Sequence, residues 1–211
     1  MVFQHVFARM FSMESWIAGA VFVLVAAAVI FAVVRGRARR KPAPHWKINP
    51  LEIGYTVVLA GVAAFLVVAS TTANGREHTA AGDPVRRVEV TAFQWCWRFH
   101  YTGTPVTVNG QCAGGNYPTL VLPTDRTVAI TLRSGDVIHS FWVPALRFKM
   151  DVFPHHTNTF RVKLDKQGTW TGRCAEFCGV DHSTMDFHLR TVPPEAFDRW
   201  IAAGGPPGGA S

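Results

Sequence analysis

Two long apolar runs dominate the first third of the chain. Residues 16–34 carry no charged side chain, and neither do residues 53–74. At 1.5 Å per residue, a helix over either run crosses a hydrocarbon core of about 30 Å. The alternatives are a buried helix of a soluble protein or, for the first run, a cleavable signal peptide. Because the runs lie close together and basic residues follow the first one, the pattern favours two transmembrane helices in an anchor of residues 1–82.

A polar linker, residues 71–84, follows the second run, and beyond it apolar residues recur at every second position. Period two is typical of half-buried β-strands. Clusters of Gly, Pro, Asn and Asp separate these short runs and indicate frequent turns. The pattern over residues 83–203 therefore predicts an all-β sandwich or small barrel. The alternating positions are Val88, Val90, Val128, Ile130, Leu132, Phe160, Val162, Leu164, Phe187 and Leu189.

The chain end departs from this alternation. In PPEAFDRWIAA, Pro194 suits the first position of a helix, and Phe197, Trp200 and Ile201 would share one helical face. A short C-terminal helix is predicted there. The last residues, 204–211 (GGPPGGAS), predict a flexible tail.

The net charge of +7 sits mostly in the anchor, because residues 1–82 contribute +5 of it. Short basic loops between membrane helices stay on the cytoplasmic side. We therefore expect the N-terminus and everything after about Gly75 to lie outside the cell membrane. The basic charge is then a signature of membrane topology, and no nucleic-acid partner is expected. The loop's basic residues are Arg35, Arg37, Arg39, Arg40, Lys41 and Lys47.

Candidate chemistry is concentrated in the stretch C-x3-C-x3-H-x2-M, formed by Cys174, Cys178, His182 and Met185. In an oxidising compartment the default for two cysteines is a disulfide, and that alternative stays open for this pair. Structural zinc would need a further Cys or His ligand, and an iron–sulfur cluster would need four cysteines. Thiolate, imidazole and thioether together favour copper, and two thiolates within bridging distance can hold two copper ions.

A second histidine ligand is required for such a site. His139 is modestly preferred because it lies where the turn SGD leads into the apolar run SFWVP. A histidine at that junction is held by the sheet while its ring faces a neighbouring loop. The other candidates in the same region are His100, His155, His156 and His188.

The sequence resembles subunit II of the haem–copper cytochrome c oxidases. Four segments carry the resemblance, and together with the two preceding helices they cover nearly the whole chain. It implies a cupredoxin β-barrel outside the membrane with a dinuclear CuA copper centre. The segments are DVIHSFWVPALRFKMD, CAEFCGVDHSTM, FQWCWRFHY and LEIGYT.

The resemblance also implies the ligand set. Cys174 and Cys178 would bridge the two coppers, and His139 and His182 would bind one copper each. Met185 and the backbone carbonyl of Glu176 would complete the coordination. In the family, the side chain of the glutamate at position 176 also serves a magnesium site shared with subunit I.

Two further roles follow from the same resemblance. Trp95 would be the point where electrons arrive from cytochrome c. Strand alternation, independently of the resemblance, would place Phe93, Trp95, Trp97 and Phe99 on one face, and simple core packing is the alternative role for these residues. Trp97 is expected to be structural. Glu52, at the start of the second apolar run, would lie near the entrance of a proton path, although as a bare sequence feature it is a helix-start charge favoured by the dipole.

The implied function is that of an electron-input subunit of a respiratory terminal oxidase in a bacterial plasma membrane. Its partners would be subunit I, with its haem, subunit III, the lipid bilayer, and cytochrome c or a membrane-bound cytochrome as donor. Residues 83–211 hold thirteen Lys and Arg against eleven Asp and Glu. Electrostatic steering of a basic donor should therefore be weak, which predicts a donor that is acidic, membrane-bound or held in a supercomplex.

Cys96 and Cys112 stand outside the family's copper motif. In an external compartment they predict a disulfide between adjacent strands, worth about 3 kcal/mol in the chain-entropy model. Two other function classes remain open: a membrane-anchored copper-binding or metallochaperone protein, and a subunit II of the quinol-oxidase type, a branch that lacks these copper ligands.

Overall fold

The computed structural model describes residues 2–36, 50–79 and 82–205. The chain divides near Arg76 into a helical unit and a β-sheet unit. Most of the basic loop, residues 37–49, and the end of the predicted tail, residues 206–211, lie outside the described residues. The predicted orientation across the membrane, which depends on that loop, therefore stays a prediction.

The helical unit contains most of α1, Val2–Gly36, and most of α2, Pro50–Thr79. Both contain segments long and apolar enough to cross a membrane, Val6–Gly36 and Pro50–Ala73. Both helices are longer than the apolar runs, because hydropathy marks the part suited to lipid and not the points where the helix begins and ends. Pro50 opens α2, which suits a residue without an N–H to donate.

The linker predicted at residues 71–84 is wrong over residues 71–79, since α2 continues to Thr79. No proline lies between Thr71 and Thr79. The hydroxyls of Thr71 and Thr72 donate to the carbonyls of Val67 and Val68, at 2.9 and 2.8 Å, so these polar side chains are satisfied within the helix. Polarity alone therefore did not end the helix.

The β unit consists of two five-stranded sheets. In the first, the strand order is β3-β2-β1-β5-β8, and in the second it is β4-β10-β9-β6-β7. The strands are β1 Arg86–Phe93, β2 Cys96–Tyr101, β3 Thr107–Asn109, β4 Thr119–Pro123, β5 Val128–Ser134, β6 His139–Val143, β7 Phe148–Val152, β8 Asn158–Val162, β9 Gly168–Cys174 and β10 Asp186–Val192.

The alternating residues named from the sequence are all buried, so period two identified the inward-facing positions correctly. The aromatic segment is the exception, because it is not one strand. β1 ends at Phe93, Gln94 and Trp95 form a turn, and β2 runs back antiparallel from Cys96. The expectation that Phe93 and Trp95 share a strand face with Trp97 is therefore wrong: the chain reverses between them.

An aromatic core joins the sheets beneath the turn. Phe187 stacks on Phe141 with ring centroids 4.7 Å apart and meets Trp97 edge-on at 5.2 Å. At the far end lies α3, Pro194–Ala202, as the sequence predicts. Its Phe197, Trp200 and Ile201 are buried, with Trp200 packed edge-on against Tyr101.

A disulfide joins Cys96, the first residue of β2, to Cys112 in a short 3₁₀ turn. Both residues are buried in the core. The crosslink fastens the loop after β3 to the strand that follows the Gln94–Trp95 turn.

Candidate metal centre

The second sheet brings the two chemistry-bearing segments together. β6 begins at His139 and β9 ends at Cys174, and the two strands pair antiparallel, with Phe141 opposite Cys174. Because antiparallel neighbours place the start of one strand beside the end of the other, His139 meets the loop that leaves β9. That loop, residues 175–185, returns to the sheet through β10.

The two thiols form the centre of the cluster. Cys174 Sγ and Cys178 Sγ lie 3.9 Å apart, well beyond the roughly 2.05 Å of a disulfide, and both cysteines are free. Cys174 and Cys178 therefore do not form the disulfide that the sequence left open as an alternative. Nδ1 of His139 lies 3.8 Å from Cys174 Sγ.

The rest of the loop supplies three more donor atoms around these thiols. Nδ1 of His182 lies 3.4 Å from Cys178 Sγ, and Sδ of Met185 lies 3.8 Å from the same sulfur. The carbonyl oxygen of Glu176 lies 3.3 Å from Cys174 Sγ. Each thiol therefore has its own imidazole and one further donor, and the structure gathers all six predicted ligand residues.

Burial and mutual interaction shift the titration of this cluster. Burial and the neighbouring Cys174 raise the pKa of Cys178 to about 12. Burial alone would raise the pKa of Cys174 too, but hydrogen bonding to His139 and to backbone groups outweighs it and lowers that pKa below its ordinary value. The two thiols are thus inequivalent before any metal binds.

Asp136 fixes the orientation of His139, a role that the sequence analysis did not assign to it. Nε2 of His139 lies 2.8 Å from Asp136 Oδ1, on the side of the ring away from the thiols. Interaction with His139 and with two backbone N–H groups lowers the pKa of Asp136 despite partial burial, so its carboxylate accepts the proton on Nε2. Nδ1 then carries no proton and faces the thiols. At metal sites, carboxylates that do not touch the metal orient histidine ligands in this way. The spacing D-V-x-H was the signal for this role.

Trp95 and Trp97 contact the copper-motif loop in different ways. The half-buried Trp95 donates from Nε1 to the carbonyl of Cys178 at 3.1 Å. The fully buried Trp97 donates from Nε1 to the carbonyl of Met185 at 3.2 Å. Sequence reasoning did not foresee that Trp97 holds the backbone of a candidate ligand, nor that Gln94 also bonds to the loop.

Three of the other candidate histidines have partners elsewhere. His100 pairs with the Thr107 hydroxyl, His188 packs edge-on against Tyr117, and His156 packs against Phe153. Within the described residues, the Cys, His and carboxylate groups whose donor atoms all lie within 4.8 Å of one another are His139, Cys174 and Cys178, and His182 approaches this group through Cys178.

Two predicted residues stand outside the cluster. The Glu176 side chain is half exposed, and its Oε2 lies 3.8 Å from Lys149 Nζ. Glu52 is exposed in the first turn of α2, and its carbonyl accepts a hydrogen bond from Thr56 at 2.7 Å. No geometry of the described residues connects either side chain to a second metal or to a proton path.

The donor set fits copper. Two sulfur atoms within bridging distance, two imidazole nitrogens and a thioether match the preference of copper for soft and borderline ligands. The two cysteines, His139 and Met185 are buried, so the site is closed to bulk solvent on the side of the sheet. A zinc or iron–sulfur site would leave the thioether without a use.

Comparisons with known proteins agree on one family. Residues 116–192 match the family described as cytochrome c oxidase subunit II, periplasmic domain. The chain is 34% identical to the probable cytochrome c oxidase subunit 2 of Streptomyces avermitilis, covering 89% of this chain and 72% of that protein. It is 33% identical to cytochrome c oxidase subunit 2 of Alkalihalophilus pseudofirmus, covering 82% and 51%.

Solved structures agree as well. The periplasmic domain of subunit II of cytochrome oxidase from Bradyrhizobium japonicum superposes with a TM-score of 0.53 at 26% identity, covering 59% of this chain and 96% of that one. The predicted fold class is confirmed: two apolar N-terminal helices, a cupredoxin-like β domain and a short C-terminal helix.

Proposed function

The chain belongs to the cytochrome c oxidase subunit II family, and from that premise we propose that it is the electron-input subunit of a respiratory terminal oxidase. In this proposal it accepts electrons from cytochrome c at a dinuclear CuA centre and delivers them to the haem of subunit I. Oxygen reduction to water, coupled to proton translocation, then takes place in subunit I. The observation that supports this best is the pair of buried free thiols 3.9 Å apart, each with its own imidazole nitrogen.

The proposed ligand set follows the geometry of the loop. Cys174 and Cys178 would hold both coppers, His139 and His182 would bind one each, and Met185 and the backbone carbonyl of Glu176 would supply the remaining donors. When bound, the copper pair supplies one-electron redox chemistry with the added charge shared between two ions.

The protein supports this chemistry by keeping the ligands still. His139 is held by β6 and by Asp136, Cys174 by β9, and Met185 by Trp97 through its carbonyl. A ligand shell that barely moves between redox states lowers the reorganisation energy. All donor positions come from the protein, so the site relays electrons and leaves substrate chemistry to another subunit.

Trp95 is proposed as the residue where electrons arrive, because it is half-buried and bonds directly to the carbonyl of a bridging cysteine. The side chain of Glu176 is proposed for a magnesium site shared with subunit I. Glu52 is proposed near a proton-path entrance. These two assignments rest on the family alone.

The proposed setting is a bacterial plasma membrane, with two spanning helices and with the N-terminus and copper domain on the periplasmic side. The partners are subunit I and subunit III, together with a cytochrome c or a membrane-bound cytochrome as donor. The nearly balanced charge of residues 83–211 argues against a donor steered by strong positive charge.

A copper metallochaperone is the competing function, and burial argues against it. Such a protein must hand its metal to a partner, which requires accessible ligands. Here His139 and Met185 have no exposed surface, and the two cysteines have almost none. A quinol-oxidase type of subunit II is disfavoured because the copper ligands are all present.

The test is the order of reduction in the purified oxidase containing this chain. After anaerobic mixing with ascorbate and tetramethylphenylenediamine, the copper absorption should bleach first and haem reduction should follow. In a Cys174→Ser/Cys178→Ser variant, haem reduction should slow by at least about a hundredfold, since the relay is missing. Haem reduction at the unmodified rate in that variant would refute the proposal.

A further inference from the structure

We propose that Gln94 is a positioning residue for electron input. It clamps the turn that carries Trp95 onto the two segments that hold the copper ligands, and so fixes the path from donor to copper. The inference rests on the proposed function of the site and adds a residue with a defined role to it.

The first contact of Gln94 is with the copper loop. Its side-chain Nε2 donates to the carbonyl of Cys178 at 2.7 Å. The indole Nε1 of Trp95 donates to the same oxygen at 3.1 Å. A carbonyl oxygen has two lone pairs and accepts both bonds. The adjacent side chains of Gln94 and Trp95 therefore both donate to the backbone carbonyl of Cys178, a proposed bridging cysteine.

The second contact of Gln94 is with the histidine segment. Its backbone N–H donates to Oδ2 of Asp136 at 2.6 Å. The other oxygen of that carboxylate holds His139 at 2.8 Å. Gln94 is thus tied through its side chain to the Cys178 segment and through its backbone to the His139 segment.

The neighbouring glycine shows how closely the turn and loop approach. Gly179 has a φ of +122°, a backbone conformation that residues with a side chain rarely adopt. A Cβ at this position would lie 3.0 Å from Trp95 Nε1 and 3.1 Å from Gln94 Nε2. The loop backbone therefore packs directly against the two donors, with no space for a side chain between them.

The exposure of Gln94 separates positioning from folding. Its side chain lies at the surface and adds nothing to the buried core, so losing its amide should leave the fold intact. Trp95 keeps its own bond to the carbonyl but loses the neighbour that fixes the turn. A misplacement of about 1 Å at a reacting group costs as much as a hundredfold in rate.

The test compares Gln94→Met, a neutral side chain of similar size without the donor, with Gln94→Glu, which places a carboxylate against the carbonyl. Gln167→Glu, at an exposed position between β8 and β9, is the matched control for added charge. Membranes containing the complete oxidase are reduced by NADH, so that the natural donor is used without being identified. Ascorbate with tetramethylphenylenediamine, a small reductant that needs no protein docking, is the parallel substrate.

We expect both Gln94 variants to lower NADH-driven oxygen uptake by at least about fivefold, with tetramethylphenylenediamine-driven uptake within about twofold of normal. The copper paramagnetic resonance signal should be retained, and Gln167→Glu should behave as the unmodified chain. Equal losses with both reductants would assign Gln94 to site assembly and overturn the proposal. A loss confined to Gln94→Glu would be a charge effect on docking and would overturn it too.

A readout without copper completes the test. The copper-free full chain is labelled with 5-fluorotryptophan, and the Trp95 resonance is identified by its absence in Trp95→Phe. Gln94→Met should shift or broaden that resonance, while Gln167→Glu should not. An unchanged Trp95 resonance in Gln94→Met would contradict the clamp. A missing dinuclear copper signal in the unmodified oxidase would instead refute the proposed function, whatever the fluorine result.

Discussion

Replacing Gly172 by alanine tests how the core supports the copper centre. Gly172 in β9 lies directly opposite Phe187 in β10. A Cβ on Gly172 would overlap three atoms of the Phe187 ring. The ring lies over the bare glycine backbone, so any side chain there must displace it.

The magnitude follows from how tightly Phe187 is enclosed. It has no exposed surface and is surrounded by Phe141, Trp97 and Phe99, with ring centroids 4.7, 5.2 and 5.7 Å away. The ring has no free space to move into, so we expect the upper end of overpacking costs, about 3 kcal/mol. For a domain of this size that loss lowers the midpoint of thermal unfolding by roughly 10–15 °C.

Displacement of the Phe187 ring should also disturb the copper ligands, because Cys174 follows Gly172 by two residues and Met185 precedes Phe187 by two. The assay is thermal unfolding of the full chain in detergent by near-ultraviolet circular dichroism, followed by the absorption spectrum after copper loading. The control is Gly114→Ala, where an added Cβ meets nothing within 4 Å, and its unfolding free energy should change by less than about 1 kcal/mol. If Gly172→Ala were as stable as this control, the packing argument would be wrong.

Three further outcomes follow from the structure. The double variant Cys96→Ser/Cys112→Ser, which opens a crosslink between residues 16 apart, should lose about 3 kcal/mol in denaturant unfolding yet still load copper; undiminished stability would contradict it. Glu176→Gln should keep its copper, because the proposed ligand is the backbone carbonyl, and a loss of copper would show that the carboxylate is the ligand. The same variant should weaken manganese(II) binding at the proposed magnesium site by about tenfold in paramagnetic resonance titrations. Since the pKa of Cys178 is raised to about 12, its thiol is protonated at neutral pH, and copper must displace that proton. Copper affinity of the copper-free chain should therefore rise by at least about tenfold per pH unit between about pH 6 and 9, measured by competition with a chelator of known affinity, and pH-independent affinity would contradict the assignment.

Sequence periodicity predicted the sheets well because burial in a sandwich repeats every two residues. Val88, Val90, Ile130 and Leu132 all face inward as expected. It failed at Gln94 and Trp95, where a two-residue turn interrupts a run that is aromatic on both sides. Composition cannot tell an aromatic residue in a turn from one in a strand, because only the partner strand shows where the chain reverses.

The ligand set was predictable to the extent that it is local in sequence. Cys174, Cys178, His182 and Met185 follow one another in a single loop, and their spacing indicated the metal. His139 was only modestly preferred, because its approach depends on the pairing of β6 with β9, which the sequence does not display. The bonds of Gln94 to Cys178 and Asp136 span 84 and 42 residues, and no local pattern predicts contacts of that range.

The central claim is that Cys174 and Cys178 bridge two copper ions. The most direct test is copper analysis combined with electron paramagnetic resonance on the copper-loaded full chain. We expect two coppers per chain and one unpaired electron shared equally between them, which gives a seven-line hyperfine pattern. A single copper with a four-line pattern, or a chain that prefers zinc to copper, would contradict it.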